Sequence, residues 1–261
     1  MMLNSTMKKT FRAALAIVCA GTLMAGTAAC GSTSSSGGDK VALLVSTLNN
    51  PFFVDLRDGA QAAAKDLGVD LMVSDAQNDS STQQNQAQNA QSQGAKAVII
   101  NPVDSDAASP AVAPLLSSSL PVISVDRSVT GEDVTSHIAS DNVAGGAQAA
   151  DELAKAVGEK GKVIILQGTP GAASTRDRGD GFKKEIKKYS GIEVVAEQTA
   201  NFDRAEALDV TTNLMQSNPD VVGIYAENDE MALGAIQSLG SKAGADVKIF
   251  GFDGTEDPGS K

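Results

Sequence analysis

From Lys40 onward, short β-branched apolar runs alternate with longer Ala-rich stretches whose apolar residues recur every three or four positions. The runs predict strands at Val41–Val45, Asp70–Ser74, Ala97–Asn101, Val122–Val125 and His137–Ala139, with helices at Phe53–Leu67, Thr82–Gln93 and Asp106–Ser118 between them. A second series follows: helix Ala144–Val157, strand Lys162–Gln167, helix Gly179–Lys187, strand Glu193–Ala200, helix Arg204–Ser217, strand Val221–Ala226, helix Glu230–Leu239 and strand Val247–Phe252. Strands alternating with helices of this length make βαβ units and parallel sheets, so the fold class is α/β. The two series are alike. "KAVIINPVDSD" and "DVVGIYAENDEMA" are each an apolar strand that ends in Asn and acids before a helix. Two Rossmann-like lobes are expected, 40–140 and 141–261, joined by a short hinge near "SHIASDN" because no low-complexity linker separates them.

Open parallel sheets bind ligands beyond the carboxyl ends of their strands, where polar residues are free of the core. Here those ends are furnished in both halves. Asn49, Asn50, Phe52 and Phe53 follow the first strand, and Asn101 follows the third. Asp126 and Arg127 follow "PVISV", Arg176 and Arg178 come after "VIILQGTPG", Asn228 and Asp229 after "VVGIYAE", and Phe252 and Asp253 after "VKIFG". Each pair alone has a plainer reading. Asp126-Arg127 alone is an exposed turn, one of the two phenylalanines could staple the next helix to the sheet, and the arginines could be a solvated helix start. The single histidine, His137, reads as a hydrogen-bonded structural residue at the lobe crossing. Recurrence at the strand ends of both halves is what favours a binding cleft.

Composition sharpens the picture at three points. The chain is aromatic-poor, with no Trp, two Tyr and seven Phe among 261 residues, so Phe52 and Phe53 in a polar turn call for a purpose. The net charge of −11 disfavours a nucleic-acid surface, which needs clustered Lys and Arg. Thirdly, the first residues read as a targeting segment: basic Lys8, Lys9 and Arg12, an apolar run from Ala13 to Ala25 too short to span a membrane, then small residues leading into Cys30. A signal peptide over 1–29, lipidation at Cys30 and a flexible Ser/Gly tether over 30–39 are expected, although the lipobox pattern prefers Leu where Thr27 stands. Simple secretory cleavage near Ala29 is the alternative.

The expected chemistry is that of a sugar site. Vicinal hydroxyls both donate and accept, so carboxylates take their protons while Arg and Asn donate back. The C–H faces of the ring pack flat on aromatic side chains. Catalysis is not expected: there is one His, no G-x-S-x-G elbow and no H-E-x-x-H, and "GTPGAAS" lacks the ending of a phosphate loop. Neither a cofactor nor a metal is expected.

Taken together, "VALLVSTLNNPFFVDLRDGAQ", "INPVDSDA", "PVISVDR", "SHIASDNVAGG", "RDRGDGF", "NFDR", "AENDEMALGAI" and "GFDGT" resemble the substrate-binding proteins of sugar ABC importers, nearest to those that take ribose. The resemblance runs from about Lys40 to Thr255. It implies a type I periplasmic binding protein: a monomer whose two lobes close by hinge bending on one monosaccharide, D-ribose first, and then dock on a membrane permease served by an ATPase. Carried over by motif, the ligand set is Asn50, Phe52, Phe53, Asn101, Asp126 and Arg127 from the first lobe. Arg178, Phe202, Asn228, Phe252 and Asp253 come from the second. Chains of this family continue past "GFDGT" with further elements, two more crossings and a Gln ligand, so an incomplete second lobe is expected here. Other aldoses such as allose or galactose, or a quorum signal, fit the same fold. A sugar-responsive transcription regulator shares the core too, but a signal and tether stand where its helix-turn-helix would be.

Overall fold

The structure is a computed structural model that describes residues 38–255. The expected signal peptide, Cys30 and most of the tether lie outside the described residues. Within them, β1 (Lys40–Val45), β2 (Asp70–Asp75), β3 (Ala97–Ile100), β4 (Val122–Val125) and β5 (Ser136–Ile138) form one parallel sheet in the order β2-β1-β3-β4-β5. A second sheet holds β6 (Lys160–Gln167), β7 (Gly191–Thr199), β8 (Val221–Ala226) and β9 (Lys248–Phe250) in the order β7-β6-β8-β9. All pairings in both are parallel. The helices are α1 (Pro51–Leu67), α2 (Ser80–Ser92), α3 (Ser109–Ser117), α4 (Asn142–Ala156), α5 (Ala173–Ile186), α6 (Arg204–Ser217) and α7 (Asp229–Leu239).

The two sheets share one winding rule. In each, the first strand lies beside both the second and the third, so the strand order reverses between β1 and β3, and again between β6 and β8. A crevice opens at such a reversal, outside the carboxyl ends of the strands. The central strands β1 and β6 are buried on both faces, which explains their unbroken apolar runs: Leu43, Leu44 and Val45 in one, Val163 to Leu166 in the other. Leu44, Val98, Ile100, Val112 and Leu115 anchor the core of the first sheet. Phe182 stacks on Tyr225, with ring centroids 4.3 Å apart, on one face of the second.

Three expectations need correction. Phe52 and Phe53 are not in a turn, because α1 already begins at Pro51. Asn50 caps this helix by accepting the Phe52 N–H at 3.0 Å, and proline suits the first helical position because its missing N–H would be unpaired there. Asp106 precedes α3 rather than starting it. The Asp104 carboxylate accepts the N–H groups of Asp106 and Ala107 and holds a turn, which delays the helix to Ser109. Finally, α5 starts at Ala173, six residues before Gly179. Its N-cap, Ala172, has no side chain to offer, and the Ala173 N–H is instead accepted by Ser105 Oγ, from the loop after β3.

Candidate functional site

The reversal points of both sheets face a common cleft. It is lined by Asn50, Phe52, Phe53, Asp126 and Arg127 from the first sheet's loops, and by Ser174, Arg178, Phe202, Asn228 and Asp253 from the second's. The space between their atoms is about 270 Å³, open mouth included.

Each wall is held rigidly. Phe53 is 3% exposed and meets Phe52 edge to face, centroids 5.2 Å apart at 79°. Burying a phenylalanine stabilises the fold by roughly 1.5–3 kcal/mol, so Phe53 serves the core as well as lining the cleft. Asp126 has a φ of 63°, a left-handed conformation for which Asp has some tolerance, and this bends the chain so that Arg127 turns inward. Arg127 is not the exposed turn that the dipeptide alone suggests. It is 2% exposed, and its Nη1 donates to the carbonyls of Pro102 and Val103 at 3.0 and 3.1 Å. Burial pushes its pKa down and the neighbouring Asp126 pulls it back up. The guanidinium carbon lies 5.5 Å from the Phe53 ring centre and 5.7 Å from that of Phe202, so the cation bridges aromatic groups from both halves.

Arg178 is the counterpart in the second half, within α5 rather than ahead of it. Its Nε donates to Asn142 Oδ1 at 2.8 Å, its Nη1 to the carbonyl of Glu227 at 2.7 Å, and Asp253 Oδ1 lies 3.6 Å away. Asp253 Oδ2 accepts the Asp229 N–H at 3.1 Å. Burial raises the pKa of Asp253, while the Asp229 N–H and then Arg178 oppose the rise. Asn228 caps α7 through its Oδ1, which accepts from Met231 N, leaving its buried Nδ2 without a protein partner at the cleft. Phe202 sits at a φ of 59° against Gly168, where a Cβ would lie 2.1 Å from the ring; only glycine lets the aromatic ring seat there.

Two residues implied by the resemblance stand one layer back. Asn101 is fully buried, its Oδ1 accepting from Ser46 N and its Nδ2 donating to Asp126 Oδ2 at 3.1 Å, so it orients Asp126. The Phe252 ring centre lies 3.7 Å from the Arg178 guanidinium carbon, and the residue lines a hollow with Gly145 and Phe250. Arg176, also at a strand end in the sequence reading, points instead to Asp106 Oδ2 at 3.2 Å across the two halves. His137 bonds Ser124 Oγ through Nδ1 at 2.8 Å on the edge strand β5.

Sequence reasoning missed three participants: Ser174, Asn142 and Glu227. Glu227 is fully buried at the end of β8 with Oε2 on the Gly168 N–H at 2.8 Å, and burial pushes its carboxyl up to about 8. The run of acids after β8 was the available signal for Glu227. Nothing local marks the other two. Among the described residues no cluster of His, Cys, Asp or Glu could hold a metal ion, and no helix is long and apolar enough to cross a membrane.

Two open parallel sheets whose reversal points share one charge-balanced, aromatic-walled cleft define a two-lobed solute-binding protein. Comparison with known proteins agrees: the periplasmic binding protein domain family matches residues 41–257. The ribose import binding protein of Salmonella typhimurium is 47% identical over 226 residues, which cover 87% of this chain and 76% of that one. Among solved structures, a Caulobacter myo-inositol binding protein bound to myo-inositol is 37% identical with a TM-score of 0.79, covering 84% of this chain and 76% of its own. A solute-binding protein of Actinobacillus succinogenes with bound D-allose is 35% identical with a TM-score of 0.76, covering 83% and 78%. The chain belongs to the periplasmic binding protein family. It is a substrate-binding protein of the sugar ABC-transporter type and not an enzyme.

Proposed function

We propose that this chain captures one monosaccharide, D-ribose, in the cleft and delivers it to a membrane permease driven by an ATPase, working as a monomer tethered outside the cytoplasm through a lipid on Cys30. The observation that carries the ligand class is the pairing of Asp126 with Arg127 on one wall and Asp253 with Arg178 on the other, between phenylalanine rings. The two acids and two bases balance, which suits an uncharged polyol. The carboxylates accept from its hydroxyls, and the guanidinium and Asn228 Nδ2 groups donate. Phe52, Phe53 and Phe202 offer apolar faces for the ring, and phenylalanine at every aromatic position leaves room for a small pentose. Asn101 and Phe252 act in this reading by setting Asp126 and Arg178. The relative named for ribose import supports the choice of sugar, and those named for allose and myo-inositol mark the alternatives.

A ligand that contacts both walls favours the closed arrangement, and the closed form is what a permease would recognise. Lobes 40–140 and 141–261 are the bodies that would move. The test is a thermal melt of the purified full chain with and without excess D-ribose, D-allose and myo-inositol. A native-state ligand raises the midpoint by mass action. A rise with ribose alone is expected. A larger rise with another sugar would replace ribose, and unchanged ribose affinity in both Arg127→Ala and Asp253→Ala would overturn the site.

A further inference from the structure

Ser174 is the one hydroxyl among the side chains lining the cleft. It lies second in α5, whose N-cap position is taken by Ala172, so its hydroxyl does not serve as the helix cap. The residue is 2% exposed, yet Oγ has no hydrogen-bond partner among the described residues and is not sealed in the interior as the neighbouring Thr175 Oγ1 is. Helical spacing places it one turn before Arg178 on the same face, so the two side chains reach the cleft together. A hydroxyl that opens onto the cleft without a protein partner needs something else to bond it. Within this cleft only the ligand or its attendant water can do so.

We propose that Ser174 is a specificity-determining residue of this site, its hydroxyl bonding one particular ring hydroxyl of the bound monosaccharide. The inference rests on the sugar-binding reading above and deepens it. Arginine only donates and an ionised carboxylate only accepts, whereas a serine hydroxyl does both. It can accept a hydrogen bond from a sugar hydroxyl while donating its own to a sugar oxygen or a cleft water. A site built to bond a hydroxyl rejects analogues lacking it, because its own polar group is then left unpaired.

The test is a cycle of titration calorimetry on the full chain. Wild type and Ser174→Ala are each titrated with D-ribose and with the four analogues that lack one ring hydroxyl of the pyranose. Ser174→Ala should weaken ribose binding about two- to tenfold. For one analogue the penalty seen in wild type should shrink by the same factor, which names the bonded hydroxyl. Equal affinity of the two proteins for ribose, or a loss in Ser174→Ala that leaves every analogue's penalty unchanged, would overturn the role. Circular dichroism and a melt check folding, and Ser174→Cys, similar in size with a weak donor, should behave like Ala. If wild type binds no sugar, the sugar reading itself fails and this proposal falls with it. If wild type binds and the cycle shows no coupling, only Ser174 is misassigned.

Discussion

Asn142 Oδ1 accepts the Nε–H of Arg178 at 2.8 Å, and Asn142 is the first residue of α4, immediately after the segment that leaves the first sheet. The start of α4 and the middle of α5 are in backbone contact. A Cβ on Gly146 would lie 2.1 Å from the Arg178 carbonyl oxygen, and one on Gly181 would lie 2.1 Å from that of Val143. Rotation at the crossing would thus carry Arg178 as part of one rigid piece. Asn142→Ala leaves a buried charged donor unpaired, a cost of about 1–3 kcal/mol. Affinity for D-ribose, the proposed ligand, should fall about tenfold by calorimetry, and Asn142→Asp, which keeps the acceptor, should restore most of it. Wild-type affinity in Asn142→Ala would disprove the coupling.

Glu227 makes the stability of the protein pH-dependent. Its carboxyl titrates at about 8 in the fold against 4.5 as the reference value, chiefly because burial penalises the charge. The group's contribution is fully present below pH 4.5. Between 4.5 and 8 the unfolded chain has lost this proton while the native state keeps it, so stability drains by about 1.4 kcal/mol per pH unit and then levels off. Glu227→Gln retains an acceptor for the Gly168 N–H and carries no charge. Its urea unfolding free energy should exceed that of wild type at pH 8, with a flatter profile from pH 5 to 8. A wild-type slope in the variant would rule Glu227 out as the cause.

Two glycines predict opposite signs for the same change. Gly146→Ala forces a methyl into the Arg178 carbonyl and should cost about 1–3 kcal/mol. Gly59, on an exposed turn of α1, has nothing within 4 Å of its Cβ position. Gly59→Ala should therefore stabilise by about 0.4–1 kcal/mol, through the entropy of the unfolded chain. Denaturant midpoints of the pair check both signs together.

The sequence made the frame legible where local and tertiary signals coincide. The apolar run Val122–Val125 after Pro121, and Arg204–Ser217 between the cap Asp203 and Asn218-Pro219, match the structure residue for residue because their boundary chemistry is written beside them. The start of α5 was not legible, since its first N–H is capped by Ser105, 68 positions away. The site divides the same way. Residues at strand ends could be read from position alone, as with Asp126 and Asp253. Asn142 could not, because its partner is 36 residues downstream, and Ser174 hid in a stretch that reads as a loop. Asn101 and Phe252 were visible as members of the constellation, but whether they face the cleft or support a neighbour is decided by side-chain packing, which no spacing encodes.

The same long-range contact at Ser105 yields the last prediction. Ser105 is fully buried, and two bonds from it tie the halves together beside the cleft: its Oγ accepts the Ala173 N–H at 3.0 Å and its N–H donates to the Gly171 carbonyl at 3.0 Å, while within the first half its carbonyl accepts the Thr130 N–H at 2.8 Å. Next to it, Arg176 and Asp106 pair at 3.2 Å with side chains 43% and 60% exposed. Exposed ion pairs contribute about 0–1 kcal/mol because water and salt screen them, whereas a buried donor left without its acceptor costs about 1–3 kcal/mol. Ser105→Ala should therefore destabilise the protein more than Arg176→Ala, although it removes one oxygen and no charge. Urea unfolding gives the order, and hydrogen exchange at the Ala173 amide should quicken in Ser105→Ala and not in Arg176→Ala. The reverse order would mean that the charged pair, and not the serine, joins the two halves.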